Sequence, residues 1–540
     1  MKRRSMLLGT GGAVGVWGAT GLAGAPRAAA SGTASAPVFD VRGHGAVGDG
    51  ATDDTSAFVQ AFGAARAAAF GATVLIPPGS YLVGASLVMG AGMTVSAYGA
   101  RITRLKDSGA LLKNFDASTD APGYSGAGNL TVLGGTWDMA GDVYSRTSDA
   151  IGFGHCQDVL VQDCTILRVP SAHAVELNAV RRARIVNCVF DGLDATYTTR
   201  SDKEAVQITG AISAASLPCP PYDDTPCADI LITGCSLVDS THGLFGALCG
   251  DHGGKAGVVH TGVRVLGNHV EAAAGHGVRA VDWSASVVHG NTVERAQISG
   301  IKVESLGGNP MSALSVEGNI VTGTGTDSST GGGIVVIDAV TDLSLSGNVV
   351  TGVRGETGIY VRYARRATIT GNTVSRTVRS TGVSNCQGVH VQHSPGAVIA
   401  QNTVADCEGD GIGVDAGLSG AAMNGDAPVV TGNRVDGVAG HGIAVGCPDG
   451  ALRDNHITGA NTAGSAAAYG IRLGGAASNM SCQGNVVRQG TGQAAAAIAV
   501  LPGSKGTWVT GNDLRGWGVG SPALLDQGTG TLTTTGNATG

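Results

Sequence analysis

A short unit of apolar, glycine and asparagine residues repeats along the chain from about residue 150 onward. It reads apolar-x-apolar-x-Gly-Asn-x-apolar, with cores such as VLGNHV at 265–270 and ITGNTV at 369–374. The asparagine returns every 22 to 31 residues, at Asn268, Asn291, Asn319, Asn348, Asn372, Asn402, Asn433, Asn455, Asn485 and Asn512. A repeat of this length predicts a solenoid, in which each unit packs on its neighbours along one axis.

A second unit, Gly-apolar-x-apolar, alternates with the first and predicts strands of three to five residues bounded by turn residues. No helix-period segment lies between the two units, although parallel strands normally need a helical crossover. Short strands without helices stack instead as coils of a β-solenoid, whose expected hand is right. The predicted fold is therefore all-β, a single-stranded right-handed parallel β-helix. The glycines of this unit are Gly300, Gly333, Gly358, Gly388, Gly411, Gly442 and Gly470.

The repeated asparagine predicts a buried ladder, because each side-chain amide can bond the amides of the coils above and below. Earlier coils carry Cys164, Cys188 and Cys235 at the same place, and we expect these cysteines to stack inside the solenoid. Cys219 and Cys227 bracket a short loop and form the predicted disulfide, which an environment outside the cytoplasm allows.

The composition of the chain and its first 30 residues predict where the protein is located and which partners it lacks. The net charge is -7 and aromatic residues make up 4 %, which argues against a nucleic-acid partner. Lys2, Arg3 and Arg4 precede a weakly apolar, glycine-rich run and the small residues at 28–30, which predicts a cleaved twin-arginine-type export signal. No other apolar run is long enough to span a bilayer. We therefore predict a secreted, extracellular protein with no membrane insertion.

The N-terminal part differs from the repeats and predicts a capping module. Thr52, Asp53 and Asp54 are strong helix-starting residues ahead of an alanine-rich run. A helix placed there covers the first open edge of the solenoid, which otherwise invites aggregation. The predicted division is an export signal at 1–30, a capping module with the first coils at 38–100, the β-helix at 101–527 and a Gly/Thr-rich tail at 528–540.

Four elements of the N-terminal part carry a family resemblance: Asp40, GAVGDG at 45–50, TDDT at 52–55 and IPPGSY at 76–81. This stretch resembles the entry module of the pectate-lyase-like superfamily, specifically the rhamnogalacturonase and epimerase-like pectate lyase group. With the downstream coils, the resemblance covers nearly all of the mature chain. It implies a right-handed β-helix that acts on polysaccharide. It leaves the reaction open, because the superfamily includes hydrolases, lyases, epimerases and adhesive phage tail proteins.

In a solenoid, one strand position faces the same side in every coil, and successive coils lie about 4.8 Å apart. Aligning the Gly-apolar-x-apolar units therefore predicts an outward polar column. Its chemical variety favours a sugar-binding groove over a ladder of surface salt bridges. The predicted substrate-binding residues, with His260 from the neighbouring insertion, are Asn178, Gln207, His260, Lys302, Glu304, Tyr360, Arg362 and His390.

The segment 188–260 interrupts the regular spacing and holds the densest cluster of titratable residues, so we expect the active site there. Hydrolysis needs two carboxyl groups, about 5–5.5 Å apart for retention or about 6.5–9.5 Å apart for inversion. Glu176 and Glu204 are the preferred pair, with Asp251 as a third candidate. Glu204 shares strand parity with inward apolar residues, so the direction of its side chain stays open.

Elimination is the competing mechanism, and it needs a base near the sugar C5 and a cation that neutralises the uronate carboxylate. Lys203, His242 and Arg279 are the catalytic candidates for this chemistry. Ca²⁺ is the candidate cofactor, although no segment matches a defined calcium loop. Its candidate ligands are Asp202, Asp223 and Asp224.

The predicted function is cleavage of glycosidic bonds in an extracellular polysaccharide. In one form of this hypothesis, the polysaccharide contains uronic acid. Hydrolysis stands slightly ahead of lyase chemistry. A uronate epimerase and a non-catalytic, carbohydrate-binding or adhesive β-helix are the alternatives. A monomer is favoured, and a stable trimer would favour the adhesive alternative.

Overall fold

Successive coils of the chain add strands to three parallel sheets. The computed structural model describes residues 36–68, 71–194, 200–213, 217–327, 331–381, 386–415, 427–465, 467–517, 520–532 and 534–539. The predicted export signal at 1–30 lies outside these residues. The three sheets belong to the unit Pro37–Gly540. The stacked, all-parallel strands confirm the predicted β-helix.

Sheet 1 carries the Gly-apolar-x-apolar units. Its strands are Leu87–Val88, Leu112–Lys113, Ile151–Gln162, Val175–Val186, Glu204–Thr209, Ala247–Gly250, His276–Val281, Ser299–Glu304, Gly332–Val336, Thr357–Arg362, Gln387–Gln392, Ile412–Asp415, Ile443–Gly446, Ile471–Leu473, Ile498–Val500 and Leu524–Asp526. Ile151–Gln162 and Val175–Val186 are long enough to continue into sheet 2.

Sheet 2 precedes the repeated asparagine in each coil, and sheet 3 follows it. The remaining strands of sheet 2 are Val38–Asp40, Thr73–Leu75, Thr94–Ser96, Leu130–Leu133, Ala228–Thr233, His260–Thr261, Arg264–Leu266, Trp283–Ser284, Ser286–His289, Met311–Glu317, Val340–Ser346, Ala364–Arg365, Thr368–Thr370, Val398–Ala400, Val429–Thr431, Ala451–Arg453, Ser481–Gln483 and Trp508–Thr510. The strands of sheet 3 are Asp49–Asp53, Gly79–Val83, Ala100–Arg104, Thr136–Asp138, Thr165–Val169, Val189–Leu193, Ser236–Leu237, His269–Ala273, Thr292–Ala296, Ile320–Thr322, Val349–Thr351, Thr373–Ser375, Thr403–Ala405, Arg434–Asp436, His456–Thr458 and Val486–Arg488. Arg354–Gly355 and Val378–Arg379 form a separate two-stranded ribbon, and two short 3₁₀ turns lie at Val41–His44 and Arg200–Asp202.

The predicted capping helix is present as Thr55–Arg66. The carboxylate of Asp54, just before the helix, accepts hydrogen bonds from the backbone N–H groups of Val47 and Gly48 at 2.6 and 3.3 Å. Phe58 is fully buried in the core that the helix shares with the first coils. Within the described part of the chain, no helix combines the length and apolarity that a membrane crossing requires.

The sheet 1 strands of the repeat begin with a glycine, because the backbone there passes close to a buried valine of sheet 3. A Cβ atom added at Gly300 would lie 2.3 Å from Val321 Cγ1, and one added at Gly358 would lie 2.3 Å from Val374 Cγ1. Both valines are fully buried inside sheet 3. A larger residue would therefore push the strand away from the core.

The predicted asparagine ladder runs through the solenoid and is confirmed. Asn372 is a typical rung: its Nδ2 donates to Leu345 O at 2.9 Å and to Asn402 Oδ1 at 3.0 Å. Its own Oδ1 accepts hydrogen bonds from the side chain and backbone of Asn348. Cys235 continues the ladder toward the N-terminus by donating its backbone N–H to Asn268 Oδ1 at 2.9 Å. Cys164, Cys188 and Cys235 are buried inside the coils, as predicted.

Coil pairing is present near both ends of the described chain. Val38–Asp40 pairs with Thr73–Leu75 within the segment predicted to hold the cap and the first coils. At the other end, Asn537 accepts the Asn512 side-chain amide at 2.9 Å and so forms a last rung. The described residues of the predicted Gly/Thr-rich tail therefore belong to a further coil.

The predicted disulfide between Cys219 and Cys227 is wrong, because both residues are buried free thiols. The Cys227 thiol points into the solenoid and donates to Leu177 O and Thr209 O, both at 3.3 Å. Cys219 lies on the outer side of sheet 1, where a Cβ atom on Gly154 would be 2.7 Å from its Sγ. The two thiols belong to different apolar clusters, although they are close in sequence.

Candidate active site

A cavity of about 480 Å³ lies on the outer side of sheet 1. Leu217 and Pro218 form part of its wall, and Leu217 fits against the sheet because Gly152 has no side chain there. The ionisable residues that line the cavity are Lys113, Arg146, Asp149, His173, Glu176, Lys203, Asp251 and His252. A wider depression of about 620 Å³ lies on sheet 2, but its Asp158 is already paired with Arg182 at 2.7 Å. The cavity on sheet 1 is therefore the candidate site.

Glu176 and Asp149 form a hydrogen-bonded carboxyl pair in the cavity wall. Glu176 is 2 % exposed, and its Oε1 accepts the backbone N–H of Leu217 at 2.9 Å. Burial and then the neighbouring Asp149 charge raise the pKa of Glu176 well above its usual value. Burial also raises the pKa of Asp149, although the backbone N–H of His173 donates to its Oδ1 at 3.1 Å. The pair therefore holds one proton that an isolated carboxyl group would lose.

Asp251 lies on the third coil of the site and is held by three donors. Its Oδ1 accepts hydrogen bonds from Gln207 Nε2 at 3.0 Å and from the backbone N–H groups of His252 and Gly253 at 2.8 and 3.0 Å. Burial and then the negative charge of Glu204 raise the pKa of Asp251 to about 6. Asp251 is therefore a carboxylate in fixed orientation above about pH 6.

Glu204 is fully buried and supports two histidines instead of lining the cavity. Its Oε2 accepts a hydrogen bond from His252 Nδ1 at 3.0 Å, and its backbone oxygen accepts one from His173 Nδ1 at 2.7 Å. The two imidazole rings stack with centroids 5.4 Å apart. Burial and then the charge of His252 hold the pKa of His173 well below its usual value. The open question about the direction of Glu204 is thus settled toward His252 and Arg279, whose Nη1 lies 3.9 Å from Glu204 Oε1.

Three cationic side chains, Lys113, Arg146 and Lys203, also line the cavity. Burial lowers the pKa of Lys113, whose Nζ lies 4.8 Å from the centre of the Phe115 ring. A site with both paired carboxyl groups and cations can bind a sugar ring together with an acidic substituent.

Arg279, Lys302 and Glu304 form an ion-pair network beside the cavity. Arg279 Nε donates to Glu304 Oε1 at 2.8 Å, and Lys302 Nζ lies 2.9 Å from Glu304 Oε2. Burial acts to raise the pKa of Glu304, but the two cations outweigh it and hold the pKa below its usual value. Arg279 Nη1 also lies 3.8 Å from Asp202. The network extends the polar face of sheet 1 beyond the cavity.

A second polar cluster lies further along sheet 1, past Val335. The ring of Tyr360 stacks on His390 with centroids 5.2 Å apart, and His390 Nε2 lies 2.8 Å from Asp415 Oδ2. Arg362 covers a neighbouring tyrosine ring at 4.8 Å. The strand register places Lys302, Val335, Tyr360 and His390 in one outward row. The predicted column is therefore real, but an apolar residue divides it.

Asn178, His260 and His242 also lie outside the cavity lining, like Glu204, the ion-pair network and the second polar cluster. Asn178 is 1 % exposed, two positions after Glu176 on the same strand. His260 stands behind Asp251, with its Nε2 4.0 Å from Asp251 Oδ2, and burial lowers its pKa to about 4. His242 is exposed in a separate cavity of about 260 Å³ beside Arg168.

The three aspartates considered for Ca²⁺ make separate contacts. Asp224 Oδ1 lies 2.6 Å from Lys255 Nζ, and Asp223 Oδ2 accepts the backbone N–H of Gly123 at 2.8 Å. Asp202 faces Arg279. Across the described ranges, the group whose donor atoms cluster closely enough for a metal ion is His173, Glu204 and His252.

Asp149 and His173 are the site residues that the outward column misses. The register pairs Ile151 with Val175 and Val175 with Val206, so Asp149, His173 and Glu204 occupy one position on three consecutive coils. Each is followed by alanine and then a β-branched residue. This polar-Ala-(Ile/Val) repeat is a sequence signal that would have found them.

Comparison with known proteins places this geometry in a family. The family model described as right handed beta helix region matches residues 149–350 and 333–514, and the model described as rhamnogalacturonase A/epimerase, pectate lyase-like, matches residues 38–209. The chain is a right-handed β-helix protein of the pectate-lyase-like superfamily. The predicted hand and family are therefore confirmed. No curated protein matches this β-helix protein in sequence.

Solved structures share the fold at low sequence identity. The surface adhesin PfbA of Streptococcus pneumoniae aligns with a TM-score of 0.54 and 16 % identity over 78 % of this chain and 92 % of that one. A second PfbA structure aligns with a TM-score of 0.52 and 16 % identity over 76 % and 99 %. The family 28 exopolygalacturonase of Yersinia enterocolitica aligns with a TM-score of 0.32 and 10 % identity over 92 % and 78 %. At these identities, the two PfbA alignments establish the β-helix fold alone.

Proposed function

We propose that this protein hydrolyses glycosidic bonds in an extracellular polysaccharide at the cavity on sheet 1. The observation that carries the proposal is a set of two carboxyl centres in different environments, one sharing a proton within a carboxyl pair and one held by hydrogen-bond donors. The Glu176–Asp149 pair keeps a proton, and Asp251 is oriented by three hydrogen bonds to its Oδ1. A glycosidase needs one carboxyl group to protonate the leaving oxygen and a second to activate water or attack the sugar.

The roles follow from these environments. Glu176 is the general acid, because burial and the Asp149 charge favour its protonated form. Asp251 is the general base, because backbone and Gln207 donors hold it as an oriented carboxylate. The pair Glu176 and Asp251 thus takes the place of the predicted pair Glu176 and Glu204. Glu204 is buried behind His252 and does not face the cavity.

The spacing of the two centres favours inversion. Glu176 pairs with Gln207, Gln207 pairs with Gly250, and Asp251 follows directly. Two coil steps place Glu176 and Gly250 about 9.6 Å apart at the backbone, and the Asp251 side chain reaches back toward the coil of Glu176, because its Oδ1 accepts a hydrogen bond from Gln207 Nε2 at 3.0 Å. Carboxyl groups of inverting enzymes lie about 6.5–9.5 Å apart, which leaves room for the attacking water.

The cations favour a polysaccharide that carries acidic groups. Lys113, Arg146 and Lys203 line the cavity, and each can pair with a uronate carboxylate. The outward row from Lys302 to Tyr360 and His390 offers contacts for sugar units beyond the reacting bond. Secretion through the twin-arginine-type signal at 1–30 and a monomeric state are parts of this proposal.

A digestion panel tests the proposal. The protein is incubated with polyuronates and neutral polysaccharides, and reducing ends are followed together with the ultraviolet absorbance of unsaturated uronates. We expect reducing ends to rise while the absorbance stays flat. A rise in both signals would mean elimination and would move the assignment to Lys203 and Arg279. Glycan binding by a stable trimer with neither signal would support the adhesive alternative.

A further inference from the structure

Three side chains beside the proposed acid and base come together from three consecutive coils. His173 lies two residues before the strand Val175–Val186, Glu204 begins the neighbouring strand of sheet 1 at the corresponding position, and His252 follows the next strand, Ala247–Gly250. One donor atom from each of the three lies within 4.8 Å of the others. Glu204 begins a strand, and the two histidines lie within two residues of strands on the adjacent coils, so short segments tie all three to the solenoid.

The hydrogen bonds of His173 leave a lone pair available for a metal ion. Its Nδ1 lies 2.7 Å from the backbone oxygen of Glu204, and a carbonyl oxygen can only accept, so Nδ1 carries the proton. Nε2 of the neutral ring is therefore unprotonated. Because Nδ1 is the ring nitrogen that lies 3.9 Å from Glu204 Oε2, metal binding requires the ring to turn so that Nε2 faces the carboxylate. An imidazole whose Nδ1–H is anchored on a carbonyl is the usual arrangement of a metal-binding histidine.

Glu204 is a buried carboxyl group whose two oxygen atoms are unequally partnered. The residue is fully buried, and its Oε1 has no hydrogen-bond partner. Arg279 Nη1 lies 3.9 Å away, which is too far for a hydrogen bond. His252 Nδ1 reaches only Oε2, at 3.0 Å. A divalent cation bound between Glu204 Oε2 and His252 Nδ1 would place two positive charges where the two atoms now share one proton.

We propose that His173, Glu204 and His252 bind one divalent first-row transition metal ion. Two imidazoles and one carboxylate suit Zn²⁺ and its neighbours, whereas Ca²⁺ takes six to eight oxygen ligands. Both histidines also line the cavity, so the ion keeps an open coordination position facing it. This site goes beyond the proposed hydrolysis, in which Glu176 and Asp251 act without a metal ion.

Zinc titration of the chelator-treated protein tests this inference. We expect calorimetry to show one Zn²⁺ bound per chain, and Co²⁺ to give a visible ligand-field spectrum at the same stoichiometry. His173→Ala, His252→Ala and Glu204→Gln are each expected to weaken Zn²⁺ binding at least tenfold, roughly the smallest loss that changes around metal sites produce. His242→Ala is the matched control, because this histidine lies in a separate cavity, and it is expected to bind like the wild type.

Each outcome decides the question without reference to catalysis. Absence of Zn²⁺ binding by the wild type, or unchanged affinity in both His173→Ala and His252→Ala, would overturn the site. Displacement of Zn²⁺ by millimolar Ca²⁺ would also overturn it, since it would indicate a site made of oxygen ligands. Glu176→Gln is expected to keep full Zn²⁺ binding while losing hydrolysis, so failure of the metal site and failure of the proposed function are distinguishable.

Discussion

Glu176→Gln should stabilise the protein at neutral pH, although it removes the proposed general acid. The folded protein holds the pKa of Glu176 above the value of an unfolded chain, mainly because of burial. Below the unfolded pKa, both states are protonated and the substitution has little effect. As the pH rises, the unfolded state releases the proton freely while the folded state keeps it, so the wild type loses stability. The glutamine side chain of the variant has no proton to lose and can still donate to Asp149.

The size of the effect follows from proton linkage. One retained proton changes the free energy of unfolding by at most about 1.4 kcal/mol per pH unit. Between pH 5 and pH 7 the advantage of Glu176→Gln therefore grows by up to about 2.7 kcal/mol. With about 2.1 cal/mol/K of unfolding entropy per residue, the roughly 500 residues of Pro37–Gly540 give about 1 kcal/mol per degree. The expected difference in melting temperature at pH 7 is therefore at most about 2–3 °C.

Differential scanning calorimetry at pH 5, 6 and 7 measures this difference, with Glu304→Gln as the matched control. The pKa of Glu304 is held below its usual value by Lys302 and Arg279, which outweigh burial, so its ionised form stabilises the fold at neutral pH. Glu304→Gln should therefore melt below the wild type by nearly the same margin at pH 5, 6 and 7, because this contribution is lost only at lower pH, where Glu304 becomes protonated. Equal pH dependence of the wild type and Glu176→Gln would refute the protonated Glu176–Asp149 pair.

Three further predictions concern catalysis, the ladder and the thiols. Asp251→Asn should lower the rate of reducing-end release about 10²–10⁴-fold, whereas Asp342→Asn, on the exposed side of sheet 2, should leave the rate unchanged. Asn372→Ala removes a buried rung and should lower the free energy of unfolding by about 2–4 kcal/mol in denaturant titrations, and Asn537→Ala at the exposed end should cost clearly less. Thiol titration of the denatured, unreduced protein should find eleven free cysteines, and fewer would show that a disulfide forms.

The fold could be predicted because its main constraints are local and repeated. A rung such as Asn372 is visible in the sequence because every coil places the same amide at the same turn. Gly300 is visible because a Cβ atom cannot fit beside Val321. The capping helix follows from residues that favour a helix start. Each of these features depends on neighbours that the repeat itself supplies.

The site was only partly predictable, because it depends on directions that sequence spacing does not give. Asp149 and His173 precede their strands, so an alignment of strand interiors passes over them. Glu204 has the parity of inward residues but turns toward His252. Cys219 and Cys227 are eight positions apart in the sequence, yet one lies outside sheet 1 and the other inside the solenoid. In all three cases, irregular loops outside the repeat determine where the side chains point.

The anomeric configuration of the first product is the most direct test of hydrolysis by Glu176 and Asp251. Proton NMR of an early digest distinguishes inverted, retained and unsaturated sugars in one spectrum. We expect the inverted anomer, since two coil steps separate the backbone positions of the two residues. A retained anomer would contradict the assigned pair, and an unsaturated product would contradict hydrolysis itself.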